Sequence, residues 1–248
     1  MQITLKEWQK YVNLLDKLNK NAKIEFLQFN MDKGGFNNYD RSEMLDVLYA
    51  LTTKYGEAGA TITAQLYDEI AQASGKFLPP AVPAPTLTYG EVAKTVNGAM
   101  KFSPSEEYIA DVLTKMVKQA SADTTLQNAK RDSAEFAWIP SGDTCVYCLS
   151  IASGGWKNAS KETMKGNHAE HIHSNCNCEF CVRFDRKTSV QGYDPDKYKQ
   201  MYDSAEGKTS KDKINYLRRE QYAENKDEIN EQKRIAYASR QERENSTE

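Results

Sequence analysis

Histidine is almost missing from this chain and cysteine is scarce, with three and five residues respectively among 248. Long apolar runs are missing as well. No stretch approaches the roughly 20 apolar residues that a membrane-crossing helix needs, so no membrane role is expected. A strong charge of either sign is also lacking, because 33 Lys and Arg stand against 35 Asp and Glu for a net charge of -2. That balance excludes a nucleic-acid grip spread over the whole surface, which shows as a basic excess, and leaves room only for a local basic patch. Hydrophobic residues make up 39% and charged ones 27%, thin for a compact globule and suited to long, exposed helix. A chain of this length holds one large domain or two small ones.

The scarce residues are not scattered. All the cysteines and histidines fall in one window, which reads Asp143-Thr144-Cys145-Val146-Tyr147-Cys148 and, after a loop through Trp156 and His168, His171-Ile172-His173-Ser174-Asn175-Cys176-Asn177-Cys178-Glu179-Phe180-Cys181. Cys-x-x-Cys in a tight turn offers two sulfurs from one side, and His173-x-x-Cys176-x-Cys178 adds a nitrogen and more sulfur. That donor mix favours zinc over magnesium or calcium. The segment is too poor in aliphatic residues to fold on burial alone, so a metal is the economical staple. A disulfide framework fits less well. The cysteine number is odd and the start carries no signal peptide, so a reducing cytosol is expected. Buried packing thiols would not gather beside every histidine.

Zinc takes four ligands, and the window offers Cys145, Cys148, His173, Cys176, Cys178 and Cys181, with His168 and His171 in reserve. The favoured set is Cys145, Cys148, His173 and one of Cys176 or Cys178. A closed site of this kind is structural, with no open position to activate water.

Helical patterns fill most of the remainder. Thr4-Leu5-Lys6-Glu7 matches a capping box, and Trp8, Val12, Leu15, Leu18 and Ala22 form one apolar stripe that ends near Asp32-Lys33-Gly34-Gly35. Asp40-Arg41-Ser42-Glu43 starts a second helix, whose Met44, Leu48, Leu51, Tyr55, Ala58, Ile62, Leu66 and Ile70 recur at helical spacing. Gly56 and Gly59 interrupt it, which points to close contact with a neighbouring helix. Residues 1–78 thus read as a helical hairpin whose stripes bury each other.

The prolines of Leu78-Pro79-Pro80-Ala81-Val82-Pro83-Ala84-Pro85 force an extended linker over 79–87. A helical segment over 88–136 follows, with starts at Thr88-Tyr89-Gly90-Glu91 and at Ser103-Pro104-Ser105-Glu106, Ser103 capping and Pro104 in the first turn. The polar stretch from Ser121 to Gln127 suggests exposure, and Asp111, Lys115, Lys118 and Lys130 read as a solvated face. Residues 137–190 form the Cys/His module. Within it, the residues from Ser150 to Trp156 read as a loop, Ser160-Lys161-Glu162-Thr163 caps a short helix ending at Gly166, and Glu179 to Phe184 is a strand pairing near Phe136 to Ile139. Asp194-Pro195 opens a short helix that Gly207 closes. Residues 191–248 form a charged tail, a marginal helix or disordered. The fold class is therefore mainly α: long N-terminal helices, a small α+β zinc-knuckle-like module, and the tail.

The Cys145-x-x-Cys148 pair followed by His173-Ser174-Asn175-Cys176-Asn177-Cys178 resembles the C-terminal signature of phage head morphogenesis proteins of the Mu F-like class. The flanking Ala137-Trp138-Ile139-Pro140-Ser141-Gly142-Asp143 and His168-Ala169-Glu170-His171-Ile172-His173 resemble versions in phages and prophages of low-GC Gram-positive bacteria. The resemblance places Cys145, Cys148, His173, Cys176 and Cys178 on the family's motif positions and leaves Cys181 outside. It implies a non-enzymatic minor capsid protein, made in the bacterial host cytoplasm and built into the virion head near the portal. Its partners would be portal, capsid or scaffold proteins, with DNA a further contact, its role head assembly or DNA ejection, with no small-molecule substrate.

Two other functions fit parts of the window. In a His-Asn-His nuclease, cysteine pairs would hold a structural zinc while His168, His171 and Asn175 built a magnesium site, with Asp143 and Glu170 the available acids. A DNA-binding knuckle would use Lys157, Lys161, Lys165, Arg183, Arg186 and Lys187 near Trp156 and Tyr193.

Overall fold

The computed structural model describes residues 1–101, 104–141, 145–164, 172–173, 176–228, 230–231 and 234–235. Helix α1 (Leu5–Asp32) begins where the sequence places it. The Thr4 hydroxyl accepts from the Glu7 amide at 3.2 Å, and the Glu7 carboxylate accepts from the Thr4 amide at 2.8 Å. Helix α2 (Arg41–Ala73) starts on Asp40, whose carboxylate accepts from the Glu43 amide. The apolar stripes bury as expected: Trp8, Val12, Leu15 and Ala22 on α1, and Leu48, Leu51, Tyr55 and Ile70 on α2.

These two helices do not bury each other alone, because α4 (Glu106–Arg131) packs against both. The glycines of α2 mark the closest approach. A Cβ at Gly59 would lie 2.6 Å from Ser121 Oγ, and one at Gly56 2.8 Å from Thr86 Cγ2. Backbone to side-chain contact this tight requires a residue with no side chain.

Helix α4 corrects two expectations. Ser105, not Ser103, caps it, with Ser105 Oγ accepting from the Tyr108 amide; Ser103 lies outside the described residues. The supposed solvated face is also largely covered, for Lys118 is only 4% exposed, and Ser121, Thr124, Thr125 and Asn128 are buried. Asp111 is half-buried against Lys23, and Lys130 alone of the four stands free in solvent. The polar stretch is buried because it has a backbone to satisfy. Asn128 takes the Val82 amide at 3.0 Å and donates to the Val82 carbonyl at 2.9 Å, while Thr124 Oγ1 accepts from the Ala84 amide. Arg131 donates to the carbonyls of Pro79 and Pro80, and Asp68 accepts from Ala81. The extended proline segment is thus pinned along α4, its unpaired backbone groups matched by side chains. It then enters α3 (Tyr89–Met100), capped by Thr88 and Glu91.

Asp123 sits on α4 in a groove shared with α3, and its carboxylate accepts from Gln119 Nε2 at 3.0 Å. Burial pushes its pKa up to about 6. A carboxyl raised from about 3.9 in the unfolded chain withdraws stability as pH climbs through that interval, and the ionised form stays costly above it. Asp123→Asn should therefore stabilise the protein by about 1 to 2 kcal/mol at pH 7.5 and by almost nothing at pH 3.5. Chemical denaturation at both pH values checks this; equal effects at the two would contradict it.

The Cys/His module is built on an antiparallel sheet of order β3-β2-β4, with β2 Glu135–Ile139, β3 Lys157–Asn158 and β4 Glu179–Arg183. The expected pairing is present, with Ala137 opposite Cys181 and Trp138 opposite Phe180. Alternation along β4 does not separate core from solvent, however. Glu179, Phe180, Cys181 and Val182 are all buried, because the pair lies between the helices on one side and the cysteine turns on the other. Phe136, Trp138 and Phe180 face the cysteines, whereas Ala137, Ile139 and Cys181 share a core with Trp8, Tyr11 and Tyr67.

Residues 146–152, expected partly as loop, form helix α5 (Val146–Ala152) with Val146, Leu149 and Ala152 turned inward. Ser160 starts α6 (Lys161–Met164); the expected end at Gly166 lies outside the described residues. A parallel pair that no sequence pattern announces, β1 (Gln2–Ile3) with β5 (Ser189–Val190), ties the first residues to the module. Helix α7 (Pro195–Asp203) opens on Asp194 as expected, and α8 (Ser210–Glu224) on a Thr209–Asp212 capping box. Both lie against α5. The architecture is mainly helical with a small sheet and a Cys/His cluster beside it.

Candidate metal centre

Cys145 is the N-cap of α5, its sulfur accepting from the Cys148 amide at 3.4 Å. One helical turn then carries Cys148 round to the same side, which is how a Cys-x-x-Cys pair converges. The second half of the motif approaches from the chain that enters β4. His173 Nε2 lies 3.1 Å from Cys145 Sγ and 3.2 Å from Cys148 Sγ, and Cys176 Sγ lies 3.4 Å from Cys148 Sγ. Two triads result, Cys145–Cys148–His173 and Cys148–Cys176–Cys178, each with all ligand atoms within 4.8 Å of one another. Cys148 belongs to both.

Tetrahedral zinc with Zn–S near 2.3 Å and Zn–N near 2.0 Å would separate a sulfur from a nitrogen by roughly 3.5 Å and two sulfurs by roughly 3.8 Å. The observed spacings are each a few tenths of an ångström shorter. They are far too long for a disulfide, whose sulfurs bond at about 2.05 Å, and none of the five cysteines is in one. The cluster could hold a metal ion, and its donors are of the soft and borderline kind.

Its electrostatics point the same way. The hydrogen bond from Cys148, with His173 and the Cys148 amide behind it, draws the Cys145 thiol down to about 4. Hydrogen bonds to Cys145, Cys176 and Cys178, together with burial, push Cys148 far up. Contact with Cys148 favours ionisation of Cys178, but Cys176 and burial outweigh it and raise that thiol to about 12. Sulfurs packed this closely cannot all ionise unless a cation arrives to hold them, and metal binding supplies that charge while releasing the protons. Below them, Leu126, Phe136, Trp138, Ile172 and Phe180 form a dry floor. Trp138 and Phe180 meet edge to face at 4.6 Å.

All five residues expected as ligands from the sequence, Cys145, Cys148, His173, Cys176 and Cys178, are brought together here. Cys181 is not, for it points to the helical side of β4, 1% exposed, with burial raising its thiol to about 12. It packs among apolar side chains. His168, His171 and Asn175, proposed above for a nuclease site, lie outside the described residues, as do Asp143, Glu170 and Lys165.

Two of the cations offered to DNA have other partners. Arg183 donates to Glu135 at 2.6 Å and stacks 4.6 Å from the Trp156 ring, and Arg186 lies 3.7 Å from the same carboxylate.

Sequence reasoning missed the pair beneath the cluster. Lys118 Nζ donates to Glu179 Oε1 at 2.5 Å and to the Cys176 carbonyl at 2.7 Å, with the Trp138 ring centre 5.7 Å away. Burial opposes the charge on Lys118, yet Glu179 and the cysteines outweigh it and raise its pKa, so the ammonium is retained. Burial lifts the Glu179 carboxyl to about 7 against the pull of Lys118. No sequence signal announced this pair, because Lys118 reads as one more cation on a solvated face.

Among the described residues no helix is long and apolar enough to cross a membrane. No curated protein and no solved structure matches the chain. A family model does match: the one described as VG15 protein aligns with residues 2–205, covering α1 to α7, the sheet and every residue of the cysteine cluster, and ending before α8. The chain therefore belongs to the VG15 protein family, a family of phage proteins.

Proposed function

We propose that this protein is a non-enzymatic minor head protein of a tailed phage or prophage, of the Mu F-like class, stapled by a structural zinc. Zinc is held by Cys145, Cys148 and His173, with Cys176, whose sulfur lies 3.4 Å from Cys148 Sγ, as the fourth ligand. Cys178 stands beside them as a fifth thiol and accepts from the Ser141 backbone, steadying the strand end that leads to Cys145. The observation that supports this most is the double triad, in a chain of a phage family, closed by two turns from either side of a 24-residue stretch between Cys148 and His173. Four protein donors around one ion leave no position for a substrate water, so the ion organises structure and does not catalyse.

In this reading the helical body offers an elongated surface to portal, capsid or scaffold protein inside the head, and the metal module with α7 and α8 is a rigid knob on it. Several large side chains already stand in solvent, with Phe77 and Met31 the most exposed. Co-expression with the cognate portal protein, followed by cryo-electron microscopy of the purified rings, tests the assignment. Density for this chain on the ring is the expected result. Rings that stay bare at micromolar excess, while the isolated protein cleaves plasmid DNA with magnesium, would replace it by the nuclease.

A further inference from the structure

The best-buried charge in the described chain lies against the cysteine cluster and reaches across the interface between helix and module. Lys118 belongs to α4, the helix that packs on α1 and α2; Glu179 opens β4, and Cys176 lies on the approach to it. The two side chains are each 3% exposed. A buried ion pair of this kind is a weak source of stability, since desolvation offsets most of the attraction, and apolar replacements of similar size often do as well. Neutralising Glu179 is thus not a sufficient reason for Lys118 to be there. The second bond supplies another. The ammonium also donates to the carbonyl of Cys176, a residue of the cluster, and so sets its positive charge beside the sulfurs while fixing the backbone that carries one of them.

We propose that Lys118 is a positioning residue of the metal centre, which orients Cys176 and provides the counter-charge that favours the loaded state. This deepens the zinc reading given above and rests on it. Charge counting gives the direction. Reckoned from the fully protonated empty site, whose three thiols and imidazole carry no net charge, three thiolates and an imidazole around a dication carry one negative charge, with the protons released to water. A fixed cation nearby therefore lowers the free energy of the filled site relative to the empty one. Groups that hold a ligand from behind typically contribute 10- to 100-fold in metal affinity. From the other elements packed here, the pair meets the face of Trp138 on β2 and the field of Tyr11 on α1, while Lys20 and Lys23 of α1, which line the same recess, are paired with Asp16 and Asp111.

The test measures zinc affinity of the full-length protein by competition with a chromophoric chelator, and sulfur-to-cobalt charge-transfer bands after cobalt substitution. Lys118→Met is expected to weaken zinc about 10- to 100-fold and to shift the cobalt bands, with Lys118→Arg within a few-fold of wild type. The pair-deleted variant, Lys118→Met with Glu179→Leu, separates this role from simple neutralisation of Glu179. It removes the orphaned carboxylate that could unfold the single variant, so thermal stability should return toward wild type while zinc binding stays weak. Wild-type affinity in that double variant, or in Lys118→Met itself, would overturn the proposal. A wild-type protein that takes up no zinc at all would overturn the metal reading and this inference with it.

Discussion

On the zinc reading, a chelator should release the whole cysteine module while the long helices persist. Backbone amides of β2, β4 and α5 are expected to exchange roughly 1000-fold faster, a loss of about 4 kcal/mol of local protection, with exchange in the middle of α1 and α2 little changed. The figure is smaller than the 10 to 16 kcal/mol typical of isolated zinc-finger peptides because this module has a floor of its own. Trp138, Phe180 and Ile172 are buried with Leu126 of α4, a floor that should persist in part without the ion. What they cannot do is hold Cys145, Cys148, Cys176 and Cys178 together as thiols, since sulfur packed on sulfur with nothing between them has no attraction that matches their loss of hydration. Cys148→Ser should reproduce the chelator effect, because it removes the one residue common to both triads. Cys181→Ser should keep the metal and cost only about 1 kcal/mol, the penalty of a hydroxyl in an apolar site. Protection across residues 135–183 that survives both chelator and Cys148→Ser would show that the module needs no ion.

A second large effect is expected far from the cysteines. Gly59→Val should destabilise the protein by about 3 kcal/mol and lower Tm by roughly 6 to 12 °C, as overpacking of a close helix contact does. The added Cβ would stand 2.6 Å from Ser121 Oγ, with Leu15 Cδ2 at 3.7 Å behind it, so α2 and α4 would have to part along the stretch where α1 also joins them. A double-mutant cycle identifies the contact responsible. Gly59→Ala should cost about 2 kcal/mol in the wild-type background and under about 1 kcal/mol when Ser121→Gly has removed the opposing side chain. Two costs that simply add would mean that the glycine serves helix bending and not the interface.

Much of this protein is legible in one dimension because the relevant physics is local. A Thr or Asp followed three residues later by Glu satisfies the orphan amides of a helix start, which placed the beginnings of α1, α2 and α3. Apolar spacing of three and four residues gave the buried stripes, and a pair of glycines inside a helical pattern announced a close neighbour without saying which. The five candidate ligands were equally plain, because soft donors in two tight groups are rare in a chain with so few of them. Ser103 misled because Ser105, two residues on, offers the same cap with Glu106 and Glu107 in its first turn.

What the sequence by itself determined was the long helices, the pairing of β2 with β4 and the set of candidate donors. Only the tertiary structure decided which surfaces those elements lose to one another. A polar run such as Ser121 to Gln127 reads as solvent-facing until the proline segment is seen lying across it, its amides taken up by Thr124 and Asn128. Cys181 is indistinguishable from Cys178 in composition, yet β4 pleating sends the two to separate cores. Lys118 resembles the other lysines of α4 until the chain, 61 residues later, brings Glu179 and the Cys176 carbonyl to it. Burial and charge pairing are properties of distance in space, and the residues that set them here are separated by dozens of positions that no periodicity connects.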